Sequence, residues 1–113
     1  MLIPIQGIPY YGIFLPLAIK GFKHKEVEEF FFGQRVPRRA GWAGAAKIVV
    51  RKLDMVHYAA VMEDLRSPPG NRLEALKGGL AGYHSVRVND QWRVVFRWTP
   101  EGPEEVDVVD YHE

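Results

Sequence analysis

The stretch from Gly82 to Tyr111, "GYHSVRVNDQWRVVFRWTPEGPEEVDVVDY", decides the fold. Its apolar residues recur at every second position, the period of a strand with one buried face. Three strands are read from it: "GYHSVRVN", "QWRVVFRWT" and "EVDVVDY". Asn89-Asp90 supplies one turn between them and "PEGPE" the other. Turns this short require antiparallel pairing. Alternation also sorts the side chains by face. Trp92, Val94, Phe96 and Trp98 form one apolar row, and Val86, Val88, Val106 and Val108 join it from the neighbouring strands. Arg87, Arg93, Arg97, Asp107 and Tyr111 then point to the opposite, open face. Parity places Asp110 with the apolar row, at a strand end where the rule loosens.

Upstream of this block the period is that of a helix. In "HKEVEEFFFGQ" (24–34), Val27, Phe30 and Phe31 recur at i, i+3 and i+4, with Gly33 near the end. "VPRRAGWAGAAKIVVRKLDMVHYA" (36–59) keeps Ala46, Val49, Val50, Leu53 and Val56 on one stripe, with Pro37 suited to a helix start. "RSPPGN" reads as a loop and "RLEALKG" (72–78) as a short strand. A further short strand is expected over Leu17–Phe22. The predicted order is β-α-α-β-β-β-β, an α+β fold with an antiparallel sheet and two helices packed on one of its faces.

A chain of 113 residues, 47% hydrophobic and 26% charged, fits one domain with a buried core. It has no cysteine, which fits a reducing, cytoplasmic setting and excludes disulfide and thiolate chemistry. Residues 1–18 form an apolar N-terminal extension ahead of a single domain over 19–113. The extension is no membrane span, because Pro4, Pro9 and Pro16 interrupt it well short of the roughly 20 apolar residues that a span needs.

Charge is unevenly spread. Residues 20–57 hold nine Lys and Arg against four acids, a local +5; residues 58–113 hold six against ten, a local −4. A basic half can meet a polyanion, and the acidic part can equally complement it within the fold. The open face repeats this choice. Arg87, Arg93 and Arg97 offer forks for phosphate, with Lys77 and Glu74 added by the preceding strand. The same arginines can simply pair with the acidic tail. Beside them the chain ends in Asp110, Tyr111, His112 and Glu113. Cleavage of RNA by its own 2′-OH needs a base, a cation on the phosphate and an acid for the departing 5′ oxygen. His112 titrates near neutrality, Asp110 can act as base or orient His112, and Tyr111 is a weak acid and a stacking platform. The four histidines lack the spacing and acidic partners of a metal site, and no phosphate-binding glycine loop is present. His24 reads as structural.

Taken as ordered motifs, Ile19-Lys20-Gly21-Phe22-Lys23-His24-Lys25, Leu76-Lys77-Gly78, Ser85-Val86-Arg87-Val88, Trp92-Arg93-Val94 with Phe96, and Asp110-Tyr111-His112 resemble the HigB-type killer toxins of the RelE superfamily. The resemblance implies a RelE/ParE-like toxin fold and a metal-independent, cofactor-free endoribonuclease that cleaves messenger RNA on the ribosome. It also implies a helix-turn-helix antitoxin as partner. By position, Arg93 would contact phosphate with support from Lys77, and Asp110, Tyr111 and His112 would take part in the chemistry; Arg87 and Arg97 remain substrate-binding candidates from alternation alone. The chain departs from the pattern at Glu74-Ala75, where the family usually has His-Pro. Glu74 can act as general base but cannot carry the positive charge of a histidine. Two alternatives follow: a catalytically weakened member that only docks to ribosome or antitoxin, and a gyrase-inhibiting toxin of the same fold. The Asp110-Tyr111-His112 ending argues against the second.

Overall fold

The computed structural model describes residues 18–33 and 35–111. The expected N-terminal extension therefore lies outside the described residues except for Ala18, and His112 and Glu113 lie outside them as well.

Helix α1 spans Lys25–Phe31 and α2 spans Ala46–Tyr58. The four strands β1 (Glu74–Ala75), β2 (His84–Arg87), β3 (Trp92–Thr99) and β4 (Gly102–Asp110) form one antiparallel sheet in the order β1-β2-β3-β4. The α+β class holds: both helices lie on one face of the sheet. Their shared core takes Val27 and Phe30 from α1 and Val49, Leu53 and Val56 from α2. From the sheet it takes Val86, Val94, Phe96, Val106 and Val108. The predicted apolar row thus faces the helices, with Trp92 and Trp98 at its partly buried ends.

Among the expected boundaries that move, three have a clear local reason. Of the strand expected over Leu17–Phe22, Leu17 lies outside the described residues and the rest reduces to a single parallel bridge between Phe22 and Val106. Lys20 N donates to the Pro103 carbonyl and Lys23 N to the Val106 carbonyl, so this segment lies along the edge of β4 before the chain turns into α1. The second helix does not start at Pro37. A 3-10 turn over Gly41–Ala45 precedes α2 instead, carrying the buried Trp42 against Phe30 with ring centroids 5.0 Å apart. Gly41 is needed there, since a Cβ on it would lie 2.6 Å from the Trp92 ring. The strand expected over 72–78 keeps only Glu74 and Ala75. Arg72 and Gly78 both have left-handed backbone, with φ of 45° and 63°, and this ends the extended run on either side.

The turn at Asn89-Asp90 matches the expectation, whereas of "PEGPE" only Pro100 and Glu101 turn and β4 already begins at Gly102. Asn89 Oδ1 accepts hydrogen bonds from the backbone N–H groups of Gln91 and Trp92, closing the β2–β3 connection. Strand β4 carries a bulge. Register runs Val95↔Asp107 and then Arg97↔Glu104, so β4 has one extra residue there, and Glu105 takes φ 51°. Counting by twos back from Val106 would send Glu104 toward the core. The bulge instead brings both Glu104 and Glu105 to Arg97, at 2.9 and 2.8 Å.

Candidate active site

The face opposite the helices is read directly from the register. Arg87 pairs with Arg93, Arg93 with Val109, Ser85 with Val95, and Glu74 with Ser85. Paired residues share a face, so Glu74, Ser85, Arg87, Arg93 and Val109 lie together, as alternation predicted for the arginines.

Arg93 corrects one expectation. It lies on the predicted face, but it is buried rather than displayed, with only 3% of its surface exposed. A buried guanidinium must have its donors satisfied. Arg93 Nε donates to Ser85 Oγ at 2.7 Å, and Nη2 donates to the Arg72 carbonyl at 2.6 Å. Glu74 Oε1 stands 3.5 Å from the same Nη2. The Tyr111 ring packs under the guanidinium, 5.5 Å from Cζ to the centroid, in cation–π range. Tyr111 is anchored by its own N–H, which donates to the Gln91 carbonyl at 2.6 Å.

Two clefts open on either side of Glu74. One, of about 320 Å³, is lined by Arg72, Leu73, Glu74 and Arg93. The other, of about 280 Å³, is lined by Glu74, Ala75, Leu76, Lys77, Leu80 and Tyr111. Glu74 is the shared wall. A carboxylate, a buried guanidinium, a lysine and an aromatic ring therefore meet at one concave corner. Such a corner can hold a phosphate against cationic groups, place a base beside it and stack an unpaired base.

Among the described residues, Asp110, Arg87 and Arg97 lie elsewhere. Asp110 pairs in register with Trp92, on the opposite face from Arg93, as parity indicated; its exposed carboxylate accepts from Gln91 Nε2 at 3.0 Å. His112 lies outside the described residues. Arg87 is ion-paired with Asp90 in the β2–β3 turn. Arg97 is beyond Val95 on β3, clamped by Glu104 and Glu105 and over the Tyr83 ring. There the Tyr83 hydroxyl donates to Glu105 at 2.6 Å. That hydrogen bond is the main cause that holds the Glu105 carboxyl below its ordinary value and raises the Tyr83 phenol above its own. His24 Nδ1 lies 3.1 Å from Asp107, tying the start of α1 to β4, in keeping with a structural role. Among the described residues no three His, Asp or Glu side chains gather to hold a metal ion.

A family model described as the RelE-like toxin of the type II toxin–antitoxin system HigB matches residues 20–112. The chain belongs to this family. Toxin HigB-1 of Vibrio cholerae is 40% identical over 77 residues, which are 68% of this chain and 80% of that protein. A protein of Haemophilus influenzae is 42% identical over 52 residues, 46% of this chain and 52% of its own. Among solved structures, the YoeB–YefM complex of Staphylococcus aureus has a chain that aligns with a TM-score of 0.48 at 19% identity, covering 84% of this chain and 95% of that one. A YoeB/ParE toxin of Agrobacterium tumefaciens aligns at 0.44 and 20% identity, covering 85% and 99%. As a HigB-like toxin, the protein is one half of a type II toxin–antitoxin pair. Among the described residues no helix is long and apolar enough to cross a membrane.

Within this HigB-like frame, the sequence missed two supports of Arg93. Ser85 reads as an ordinary strand residue, yet its position opposite Val95 puts its hydroxyl under the guanidinium. The Arg72 carbonyl carries no sequence signal, because its direction depends on a left-handed residue other than glycine.

Proposed function

We propose that this toxin is a ribosome-dependent endoribonuclease that cleaves messenger RNA by attack of the 2′-OH on the adjacent phosphate, with protein side chains and no metal. The observation that carries the reading is the meeting of Glu74, Arg93, Lys77 and Tyr111 at one corner. Arg93 steadies the phosphate as negative charge grows on its oxygens, and Lys77 adds a second cation from the cleft wall. Glu74 takes the 2′ proton. The 2′ oxygen forms the new bond to phosphorus, and the bond to the 5′ oxygen breaks. His112 returns a proton to that oxygen, with Asp110 orienting it. Tyr111 offers its ring to the base beside the scissile bond. Arg87 and Arg97 lie along the same strands as contacts for flanking phosphates. The partners in this reading are the ribosome with its messenger RNA and a helix-turn-helix antitoxin, and the setting is the cytoplasm.

One observation favours a second reading. Arg93 spends Nε and Nη2 on protein acceptors and also faces a carboxylate. That is what a purely structural arginine does, and it suits a member that docks without cleaving. The test is purified toxin added to a translating extract, with primer extension to map cuts. Cuts that appear with the parent and vanish with Glu74→Gln support cleavage. Translation arrest with intact message supports docking alone.

A further inference from the structure

Asn71 is a fully buried polar side chain with no part in the chemistry above. Burying an amide is unfavourable unless its hydrogen bonds are met, so its partners show what it is for. Its Nδ2 donates to the Leu65 carbonyl at 3.1 Å and the Ser67 carbonyl at 3.3 Å. Its Oδ1 accepts from Lys52 Nζ of α2 at 2.6 Å. Its backbone N–H donates to the Pro68 carbonyl, and the next one, on Arg72, donates to the Pro69 carbonyl. The amide thus binds the 65–72 loop to itself and to α2. The residue that leaves this knot is Arg72, held at φ 45°, whose carbonyl takes the Arg93 Nη2 hydrogen bond.

We propose that Asn71 is a positioning residue for Arg93: by clamping the 65–72 loop onto Lys52, it fixes the Arg72 carbonyl that aims the guanidinium toward Glu74. The linkage is a chain of contacts from α2 to the site, namely Lys52, Asn71, the Arg72 peptide and Arg93. Asn71 itself is fully buried and lines neither cleft, so it acts through Arg93 and is not catalytic. Lys52 is suited to its end of the chain. Burial lowers its pKa, and the charges of Arg51 and Arg87 lower it further, so the hydrogen bond to Asn71 anchors a cation in a crowded basic region. The effect on cleavage rests on the reading of Arg93 given above; the linkage does not.

The experiment reads Arg93 directly. In the intact protein, the ¹⁵N signals of the Arg93 guanidinium, identified by their loss in Arg93→Lys, report its rotation about the Nε–Cζ bond. Asn71→Ala and Lys52→Met remove the clamp from its two sides, and Lys52→Gln retains an N–H donor for Asn71 Oδ1. Val49→Ala is a core control on α2 that lowers stability without touching the chain of contacts. We expect rotation to speed up about tenfold in Asn71→Ala and Lys52→Met, the equivalent of one hydrogen bond. Lys52→Gln and Val49→Ala should rotate like the parent. Cleavage should fall in kcat more than in KM for the same two variants. Unchanged Arg93 rotation in a folded Asn71→Ala overturns the proposal. Should that variant not fold, Lys52→Met decides in the same way. A parent that cuts no message removes the cleavage reading, and the rotation still decides the linkage.

Discussion

Glu74 Oε1 and Arg93 Nη2 stand 3.5 Å apart, and the two sides of this pair are unequal: the Glu74 side chain is 44% exposed and that of Arg93 only 3%. The carboxylate keeps water and an approach for substrate, while the guanidinium is enclosed and held by Ser85 and Arg72. The two residues therefore differ in what their loss does.

Arg93→Ala is expected to abolish growth inhibition and also to destabilise the fold. The sequence alone suggests a displayed arginine whose removal costs little packing. Its burial changes this, because truncation leaves Ser85 Oγ and the Arg72 carbonyl without their donor, at about 1–3 kcal/mol for each unsatisfied group. Arg93→Lys keeps the charge but cannot reach both acceptors with one planar fork. It should melt closer to the parent and still lose most cleavage. Thermal melts beside primer extension check this, and a folded Arg93→Lys with parental cutting removes the fork from the mechanism.

Glu74→Gln tests the base. The amide is nearly isosteric and keeps an oxygen toward Arg93, so stability should change little. Cleavage should fall about 10²–10⁴-fold, the range for one acid–base group. Glu74→His installs the residue type usual in the family and should raise activity above the parent. Parental rates from Glu74→Gln would move the base elsewhere in the corner.

The acidic clamp on Arg97 gives a pH prediction. Glu105 has its pKa lowered in the folded chain, first by the Tyr83 hydrogen bond and then, against the opposing pull of burial, by Arg97 and Lys23. A lowered carboxyl pKa means that the unfolded chain binds the proton more readily. Its stabilising effect is therefore full above the ordinary value of 4.5 and fades as pH falls through the lower folded value. Melting temperature measured from pH 3 to 7 should drop more steeply at the acid end for the parent than for Glu105→Gln. Parallel curves would show that Glu105 adds nothing of this kind.

What the sequence revealed depended on periodicity. The row Trp92, Val94, Phe96 and Trp98, the turn at Asn89-Asp90 and the grouping of Arg87 with Arg93 follow from a period of two. What it hid depended on backbone that leaves the period. Glu105 at positive φ adds a residue to β4 and turns Glu104 to Arg97. Arg72 at positive φ cuts β1 short and aims its carbonyl at Arg93. Burial was hidden for the same reason: parity gives the face of Arg93 but not the loop folded against it.

Tyr111 and His112 are separable, and the last prediction separates them. Tyr111 has two possible uses, its ring under Arg93 and its phenol as an acid. Tyr111→Phe keeps the ring and drops the hydroxyl, while Tyr111→Leu drops both. If the ring is what matters, Tyr111→Phe cuts like the parent and Tyr111→Leu loses activity, by roughly the 1–3 kcal/mol that stacking on one base contributes. A chain ending at Tyr111 removes His112 and Glu113 but leaves the hydrogen bond from Tyr111 N to Gln91 in place. It should melt like the parent and lose about 10²–10⁴-fold in cleavage, as expected for a missing acid. Comparing the three in one translating extract, with product read by primer extension, assigns the proton to one residue. If the shortened chain cuts at the parental rate and Tyr111→Phe does not, the 5′ oxygen takes its proton from the Tyr111 phenol, and His112 has no part in the step.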